Sequence, residues 1–146
     1  MDEKDRVAIP SRLVPVMREI EGVSEEEPLD IVITITAQQR LGIYPRKTFM
    51  KLLESLETAP PDDPDVIDLK TTILNYMDEQ SLDKQNRIRI PAMHAEVFGL
   101  TGEVVLMGSG EYLEVVSKET WKTQLPQRMA DMPQKLRMLR HYTNGK

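Results

Sequence analysis

The chain has 146 residues, a net charge of −5 and no cysteine. This length corresponds to one ordinary domain, or to two small half-domains that bury enough apolar surface only if they share a core. The lack of cysteine excludes disulfides, thiolate metal sites and cysteine nucleophiles, and the acidic charge disfavours a nucleic-acid binder covered by positive potential.

Charge is nevertheless segregated along the chain. Basic residues cluster first at Lys4, Arg6 and Arg12, and again at Lys84, Arg87 and Arg89, while acids collect in EGVSEEEP and PPDDPD. Any contact with DNA should therefore come from these two basic patches. The charged opening DEKDR does not resemble a signal peptide, and no apolar run approaches the roughly 18 residues of a membrane span. We therefore expect a cytoplasmic protein with no membrane partner.

The first half of the chain predicts a short strand, a hairpin and a helix. DEKDRVAIP opens the sequence, and DIVITIT (30–36) then alternates β-branched residues with the period of a strand. After the short turn AQQ, RLGIYP (40–45) supplies the second strand of the hairpin. PRKTFMKLLESL (45–56) predicts a helix whose apolar stripe begins at Phe49.

A linker and a second helix follow. ETAPPDDPD (57–65) cannot continue a helix because its prolines and aspartates favour turns. Val66, Leu69, Ile73 and Met77 then recur at helical spacing, and we expect this helix to pack against the Phe49 helix.

The second half of the chain repeats the first. LDKQNRIRIP (82–91) matches the opening phrase, since Asp83 and Arg87 stand 81 positions after Asp2 and Arg6. IPAMHAEVFGL predicts a short helix that begins near Pro91 and ends at Gly99. EVVLM (103–107) and EYLEVVS (111–117) then predict a hairpin around a GSG turn, followed by a helix in SKETWKTQL (117–125).

The two copies are not equally long. Trp121 follows Phe49 by only 72 positions, so the first copy has about nine extra residues, which we place in the acidic loop EGVSEEEP (21–28). We divide the chain into a first repeat with its helix (1–56), a linker with a connecting helix (57–80), a second repeat with its helix (81–125) and a basic C-terminal tail (126–146). We expect the tail to be a frayed, solvated end, and a DNA-touching arm is the alternative.

The repeated spacing Asp-x-x-x-Arg has a physical interpretation. On a strand, Arg87 and Arg89 share a face while Ile88 points into the core. Asn86 tolerates a left-handed turn, so the Asp83 carboxylate could accept hydrogen bonds inside a tight loop and hold Arg87 in one rotamer. A guanidinium held in this way suits phosphate oxygens or a guanine edge. An ordinary solvated salt bridge is the alternative, which the duplication of the motif disfavours.

LDKQNRIRIP, FGLTGEVVLMGSG and EYLEVVSKETW together resemble the second half of MraZ proteins, and the resemblance extends from Asp2 to about Leu125. MraZ proteins are bacterial transcriptional regulators built from two tandem AbrB-like (SpoVT-AbrB) swapped-hairpin repeats. The resemblance implies an α+β fold, mainly β with packing helices, in which two half-barrels form one pseudo-symmetric domain bridged by two helices.

The resemblance also implies a function. It predicts a nucleoid-associated regulator of the division and cell-wall gene cluster that binds short direct repeats of double-stranded DNA upstream of its own operon as a ring-like homo-oligomer. The expected DNA-binding residues are those of the two motifs and their basic neighbours: Asp2, Lys4, Arg6, Arg12, Asp83, Lys84, Arg87 and Arg89.

Several positions depart from the family pattern. Only Met1 precedes Asp2 where the family usually has a further strand, so we expect the first half-barrel to lack an edge strand or the chain to be trimmed. Asp5 and Asn86 replace a glycine, and Asp5 puts a negative charge beside Arg6. Pro15 is expected to interrupt the helix of the first copy. We therefore expect the second copy to make the better DNA contact.

Two other classes of function compete with this hypothesis. An enzyme is disfavoured because neither His94, interpreted as a helix-surface residue, nor His141 in the tail has a nucleophile pattern nearby, and GSG is too short for a phosphate loop. No catalytic residue, metal site or cofactor is predicted. The other class is an AbrB-fold protein-interaction or antitoxin-like module with weak or lost DNA binding, although antitoxins of this type typically have one repeat and a long disordered tail.

Overall fold

A computed structural model describes residues 1–2 and 5–144 of the chain, and the side chains as far as Tyr142. These residues form seven strands and five helices. The strands are β1 (Arg6–Ala8), β2 (Asp30–Ile35), β3 (Leu41–Pro45), β4 (Asp78–Ser81), β5 (Arg87–Arg89), β6 (Val104–Ser109) and β7 (Tyr112–Ser117). The helices are α1 (Val14–Glu21), α2 (Arg46–Thr58), α3 (Pro64–Tyr76), α4 (Ala92–Val97) and α5 (Lys118–Asn144).

The strands form two antiparallel sheets, and the fold is α+β as expected. The larger sheet has five strands in the order β4-β2-β3-β7-β6. The smaller sheet is a ribbon of two strands, β1 and β5. Both predicted hairpins are confirmed, β2 with β3 and β6 with β7.

Strands at matching positions of the two sequence copies pair with each other. In the ribbon Arg6 lies opposite Arg89 and Ala8 opposite Arg87, and Arg6 and Ala8 stand 81 positions before Arg87 and Arg89. In the large sheet, β3 pairs with β7, so that Leu41 lies opposite Val115 and Ile43 lies opposite Leu113. Leu113 and Val115 stand 72 positions after Leu41 and Ile43, so each of the two pairs is the counterpart of the other. The ribbon and the pair of β3 with β7 therefore each have a local two-fold axis that relates the copies.

Both copies contribute to one core. The buried cluster on one face of the sheet joins apolar side chains from both hairpins and both ribbon strands, among them Val7, Ile33, Ile43, Ile88 and Val115. A second cluster lies on the opposite face, because strand side chains alternate, and it joins Val32 and Tyr44 to Phe49 of α2 and Ile73 of α3. The two central helices therefore contribute to one apolar cluster on this face of the sheet, while their predicted direct packing stays a prediction.

The helix ends follow from local sequence. Asp63 caps α3, since its carboxylate accepts a hydrogen bond from the Asp65 backbone N–H at 2.9 Å, and Pro64 occupies the first turn. Gly22 ends α1 in a left-handed conformation, with φ of 74°. Gly99 does the same shortly after α4, as predicted.

Several local predictions were wrong. Pro15 does not interrupt the first-copy helix but stands in its first turn, where the missing N–H costs little. The extra residues of the first copy are shared between a turn at 11–13, a longer helix and the loop after it, rather than lying in the loop alone. Strand β4 was not predicted, because DEQS is polar and reads as loop. The tail continues α5 as far as Asn144, where we expected an irregular solvated end.

Candidate nucleic-acid interface

The two-stranded ribbon brings the two Asp-x-x-x-Arg motifs to one surface. Directly opposed residues of an antiparallel pair point to the same face, and so Arg6, Arg87 and Arg89 share the outer face with Ala8. Between them Val7 and Ile88 are buried in the core. Burial of the alternate positions fixes which face of the ribbon is solvated, and so it fixes the direction of the arginines.

The loop from Asp83 to Arg87 is closed by its own hydrogen bonds. One carboxylate oxygen of Asp83 accepts from the backbone N–H groups of Gln85 and Arg87, each at 2.8 Å. The other oxygen accepts from Nε of Arg87, also at 2.8 Å. The predicted role of the aspartate, which is to hold the arginine inside a tight loop, is confirmed in geometry.

The first copy repeats the hydrogen bonds between the aspartate and the arginine. Asp2 accepts hydrogen bonds at 2.8 Å from the backbone N–H of Arg6 and from its Nε. In each loop the backbone N–H of the aspartate also donates to the carbonyl of the arginine, over 3.0 Å for Asp2 and 3.1 Å for Asp83. The aspartate therefore holds the arginine through the same hydrogen bonds in both copies.

A left-handed residue precedes each arginine. Asp5 has φ of 59° and Asn86 has φ of 58°, which is a conformation that Asn and Asp tolerate better than most residues. Their carbonyls extend the ribbon, since Asn86 accepts from the N–H of Ile9 and Asp5 accepts from the N–H of Ile90. The residues that stand in place of a glycine therefore keep the loop conformation that a glycine would allow.

The hydrogen bonds of the second loop stabilise the ionised form of the Asp83 carboxylate. The hydrogen bond from the Arg87 backbone N–H, followed by that from its guanidinium, lowers the pKa of Asp83 below its ordinary value. Among the residues that the structure describes, Arg87 bonds to Asp83 through Nε, and the edge formed by its two Nη atoms stays open to a ligand. Two parallel N–H groups at that edge match the spacing of phosphate oxygens or of guanine O6 and N7.

The remaining predicted residues lie around this face. Arg89 is exposed on the ribbon, opposite Arg6. Lys84 is exposed in the turn of the second loop, and Arg12 is exposed in the turn that leads into α1, away from the paired strands. Lys4 lies outside the described residues. The structure therefore brings together both Asp-x-x-x-Arg motifs and Arg89, and it places Arg12 outside the ribbon.

Comparison with known proteins matches this chain to one family over almost its whole length. The family described as "MraZ protein, putative antitoxin-like" matches residues 73–140. The transcriptional regulator MraZ of Coxiella burnetii (strain Dugway 5J108-111) is 30% identical over 148 residues, which cover 95% of this chain and 93% of that protein. The chain belongs to the MraZ family. The regulators MraZ of Corynebacterium urealyticum and Mycobacterium ulcerans are 29% and 26% identical over 84% and 83% of the chain.

Membership of the MraZ family also bears on the competing classes of function. These relatives are named transcriptional regulators, a family without enzymatic activity. Within the residues that the structure describes, no group of His, Asp or Glu could hold a metal ion, and none of the helices there is both long and apolar enough to cross a membrane.

His94 differs from its sequence interpretation as a surface residue. It is buried between α3 and α4, where its Nε2 lies within hydrogen-bond distance of the Tyr76 carbonyl. It therefore has a structural position at the end of α3. His141 is exposed on α5, as expected for the tail.

Sequence reasoning missed Gln80, the residue that ties the ribbon to the large sheet. Its side-chain Oε1 accepts from the backbone N–H of Arg89 at 2.9 Å, and its Nε2 donates to the Arg89 carbonyl. Gln80 lies on β4, which pairs with β2. A side-chain amide that completes a backbone ladder leaves no periodic signal in the sequence, so only the structure could reveal it.

Proposed function

We propose that this MraZ-family protein binds short direct repeats of DNA upstream of its own operon and so regulates a cluster of division and cell-wall genes. The observation that carries the proposal is the ribbon, on whose outer face Arg6, Arg87 and Arg89 stand together. The major groove of B-DNA is about 12 Å wide and admits a two-stranded β-ribbon. The ribbon would enter the groove, while Lys84 and Arg12 would contact phosphates at its sides.

Assembly into a ring would strengthen binding to DNA. One ribbon offers few cations, and the net charge of the chain is −5, so a single subunit would bind DNA weakly. A ring repeats the ribbon and lets several copies engage successive repeats, which multiplies affinity without any new contact. The outer edge of β6 supports assembly, since no strand of the described residues covers it, and open edges are commonly closed by association. A protein of this type would associate with the nucleoid.

The two arginines of the motifs are expected to differ in importance. Asn86 beside Arg87 is neutral, whereas Asp5 beside Arg6 adds a negative charge that opposes a phosphate. We therefore expect Arg87→Ala to cost roughly 1–3 kcal/mol of binding free energy if the guanidinium contacts a guanine. Arg6→Ala is expected to cost less.

The test is fluorescence anisotropy with DNA from upstream of the protein's own operon and with a scrambled duplex, over a salt series. Arg46→Ala is the matched control, because Arg46 is an exposed arginine at the start of α2 and is not part of either ribbon strand. The proposal expects selective binding by the wild type, a loss with Arg87→Ala and no loss with Arg46→Ala. A uniform loss on both duplexes with a flatter salt slope would assign Arg87 to phosphate rather than to a base. Equal binding by all three proteins would refute the ribbon as the DNA site.

A protein-interaction module with weak DNA binding is the second candidate. The observation that favours it is the asymmetry of the ribbon, in which Ala8 stands where the second copy has Arg89. Together with Asp5, this substitution reduces the positive charge of the first copy. In the same titration, this candidate predicts an intact oligomer that shows no preference for the operator at low salt.

A further inference from the structure

From Leu125 onward, α5 carries an apolar stripe that is half-buried at Leu125 and exposed at Met129, Met132 and Leu136. Leu125, Met129, Met132 and Leu136 are spaced by four, three and four residues. At 100° per residue they fall within roughly 60° of the helix circumference, which is the pattern of a helix that packs along one seam. Every residue from Met132 to Tyr142 is exposed, and Leu136 retains 62% of its accessible surface.

This part of α5 would be a poor helix by itself. Pro126 and Pro133 lie inside it. Each proline removes a backbone donor and costs about 3 kcal/mol in a helix interior, and most helical stability in proteins comes from tertiary packing of one face rather than from propensity. Packing of the stripe against another surface would supply the missing stabilisation. The sequence of α5 therefore indicates that this helix packs against another surface.

A groove of the same chain offers a matching surface. A cavity of about 310 Å³ lies between α3 and α4, and its apolar walls include Tyr76, Met93, Val97 and Phe98. Val97 is 68% exposed, and Tyr76 and Met93 are also exposed at the rim. An apolar groove open to solvent on this scale is typical of a surface that another protein segment covers.

The two surfaces also have opposite charge. From Pro126 to Tyr142, α5 carries four basic residues, Arg128, Lys135, Arg137 and Arg140, against one acid, Asp131. The face of α3 that leads into the groove carries Asp65 and Asp68 at helical spacing with Thr72 and Tyr76. The groove itself is lined by apolar and neutral polar side chains, and the acids Asp65 and Asp68 lie beside it on α3. A basic, apolar helix would therefore complement an apolar groove with an acidic flank, which favours this pairing over the pairing of two basic helices.

We propose that α5 of one subunit docks through this stripe into the α3–α4 groove of a neighbouring copy of the chain. The inference rests on the assembly proposed above and identifies the surfaces that form it. Because the helix and the groove are different surfaces, the contact is head-to-tail, and repetition of such a contact closes into a ring when the rotation allows.

Cysteine cross-linking tests this contact cleanly, because the natural chain contains no cysteine. Val97→Cys places one thiol at the rim of the groove, and Leu136→Cys places one in the stripe. The double variant, oxidised under native conditions, is expected to give a ladder of covalent oligomers on a non-reducing gel. Each single variant is expected to remain monomeric on that gel.

Three results would overturn the proposal. Covalent dimers of Leu136→Cys alone would show that α5 pairs with α5. An oligomer by light scattering that gives no ladder from the double variant would refute the docking and leave the ring standing. A monomer by light scattering would refute both the docking and the ring, and anisotropy with Arg87→Ala would still decide the DNA site separately.

A charge placed in the stripe gives a second test. Leu136→Asp is expected to reduce the oligomer to monomers by light scattering. Met138→Asp is the matched control, since Met138 is 49% exposed on the same helix but lies about 160° around it from the stripe. Equal effects of the two substitutions would contradict a contact through the stripe, and circular dichroism checks that both variants retain the fold.

Discussion

Replacing Gly42 by alanine should destabilise the junction between the two sequence copies. Gly42 lies in β3, opposite Thr34 of β2 and Glu114 of β7. A Cβ atom at this position would lie 2.6 Å from Thr36 Cγ2 and 2.6 Å from Tyr44 Cε1. Real Cβ contacts are not this short, so both of these buried side chains, or the strand between them, would have to move.

Tyr44 is poorly placed to move. Its ring stacks on Tyr112 with centroids 4.7 Å apart, and its hydroxyl donates to the Ile35 carbonyl at 3.1 Å. Overpacking of this kind costs about 1–3 kcal/mol, of which the lower entropy of the unfolded alanine chain offsets about 0.4–1 kcal/mol. We therefore expect Gly42→Ala to lower the free energy of unfolding by about 1–2 kcal/mol.

Gly108 provides the matched control in the same sheet. Its Cβ would approach nothing closer than Leu13 Cδ2 at 3.9 Å, which is ordinary van der Waals contact. Gly108→Ala should therefore be neutral or stabilise by up to about 1 kcal/mol. Urea unfolding followed by circular dichroism, at one fixed protein concentration, should separate the two variants by about 2 kcal/mol, with unchanged m values. A midpoint for Gly42→Ala equal to that of Gly108→Ala would refute the reasoning.

Three further predictions concern single side chains. Phe49→Ala removes a fully buried ring and should cost about 3–5 kcal/mol in urea unfolding, whereas exposed Met50→Ala should change stability by less than about 0.5 kcal/mol. Burial raises the pKa of Tyr44 to about 12, so Tyr44 ionises in the unfolded chain at a lower pH than in the folded protein. The free energy of unfolding should therefore fall by at most about 2.7 kcal/mol between about pH 10 and 12. Tyr44→Phe should abolish this loss. The pKa of Asp83 should lie below its ordinary value in a carboxyl NMR titration and rise only partly in Arg87→Ala, because the backbone N–H remains.

Each of these predictions has a result that contradicts it. Equal destabilisation by Phe49→Ala and Met50→Ala would place Phe49 outside the core. The same alkaline loss of stability in Tyr44→Phe as in the wild type would assign that loss to another group. An ordinary pKa for Asp83 would mean that its loop is open in solution. With the lowered pKa, the carboxylate should persist as the pH falls through the usual aspartate range, and the loop contacts should be lost only below it.

Local sequence predicted most elements because their signals are local. Alternating β-branched residues give the two hairpins, and the stripe that begins at Phe49 gives α2. The Asp83 loop could also be predicted, since an acceptor, a residue tolerant of positive φ and an arginine lie within five positions. The missed elements lack such signals. Strand β4 is polar, and it is a strand because its backbone pairs with the edge of β2. Pro15 was misjudged because its effect depends on where in the first turn the helix begins.

The amino-acid sequence by itself determined that this protein consists of two copies of one pattern, each with an Asp-x-x-x-Arg motif. Such local features can be predicted because hydrogen bonds within five residues and the alternation of buried and exposed side chains need no distant partner. The tertiary structure decided how the copies meet. Strands β1 and β5 are about 80 residues apart in the chain, and only their antiparallel pairing over one shared core places Arg6 opposite Arg89. That register depends on which faces the two hairpins bury against each other, a long-range condition that the spacing of residues along the chain does not contain.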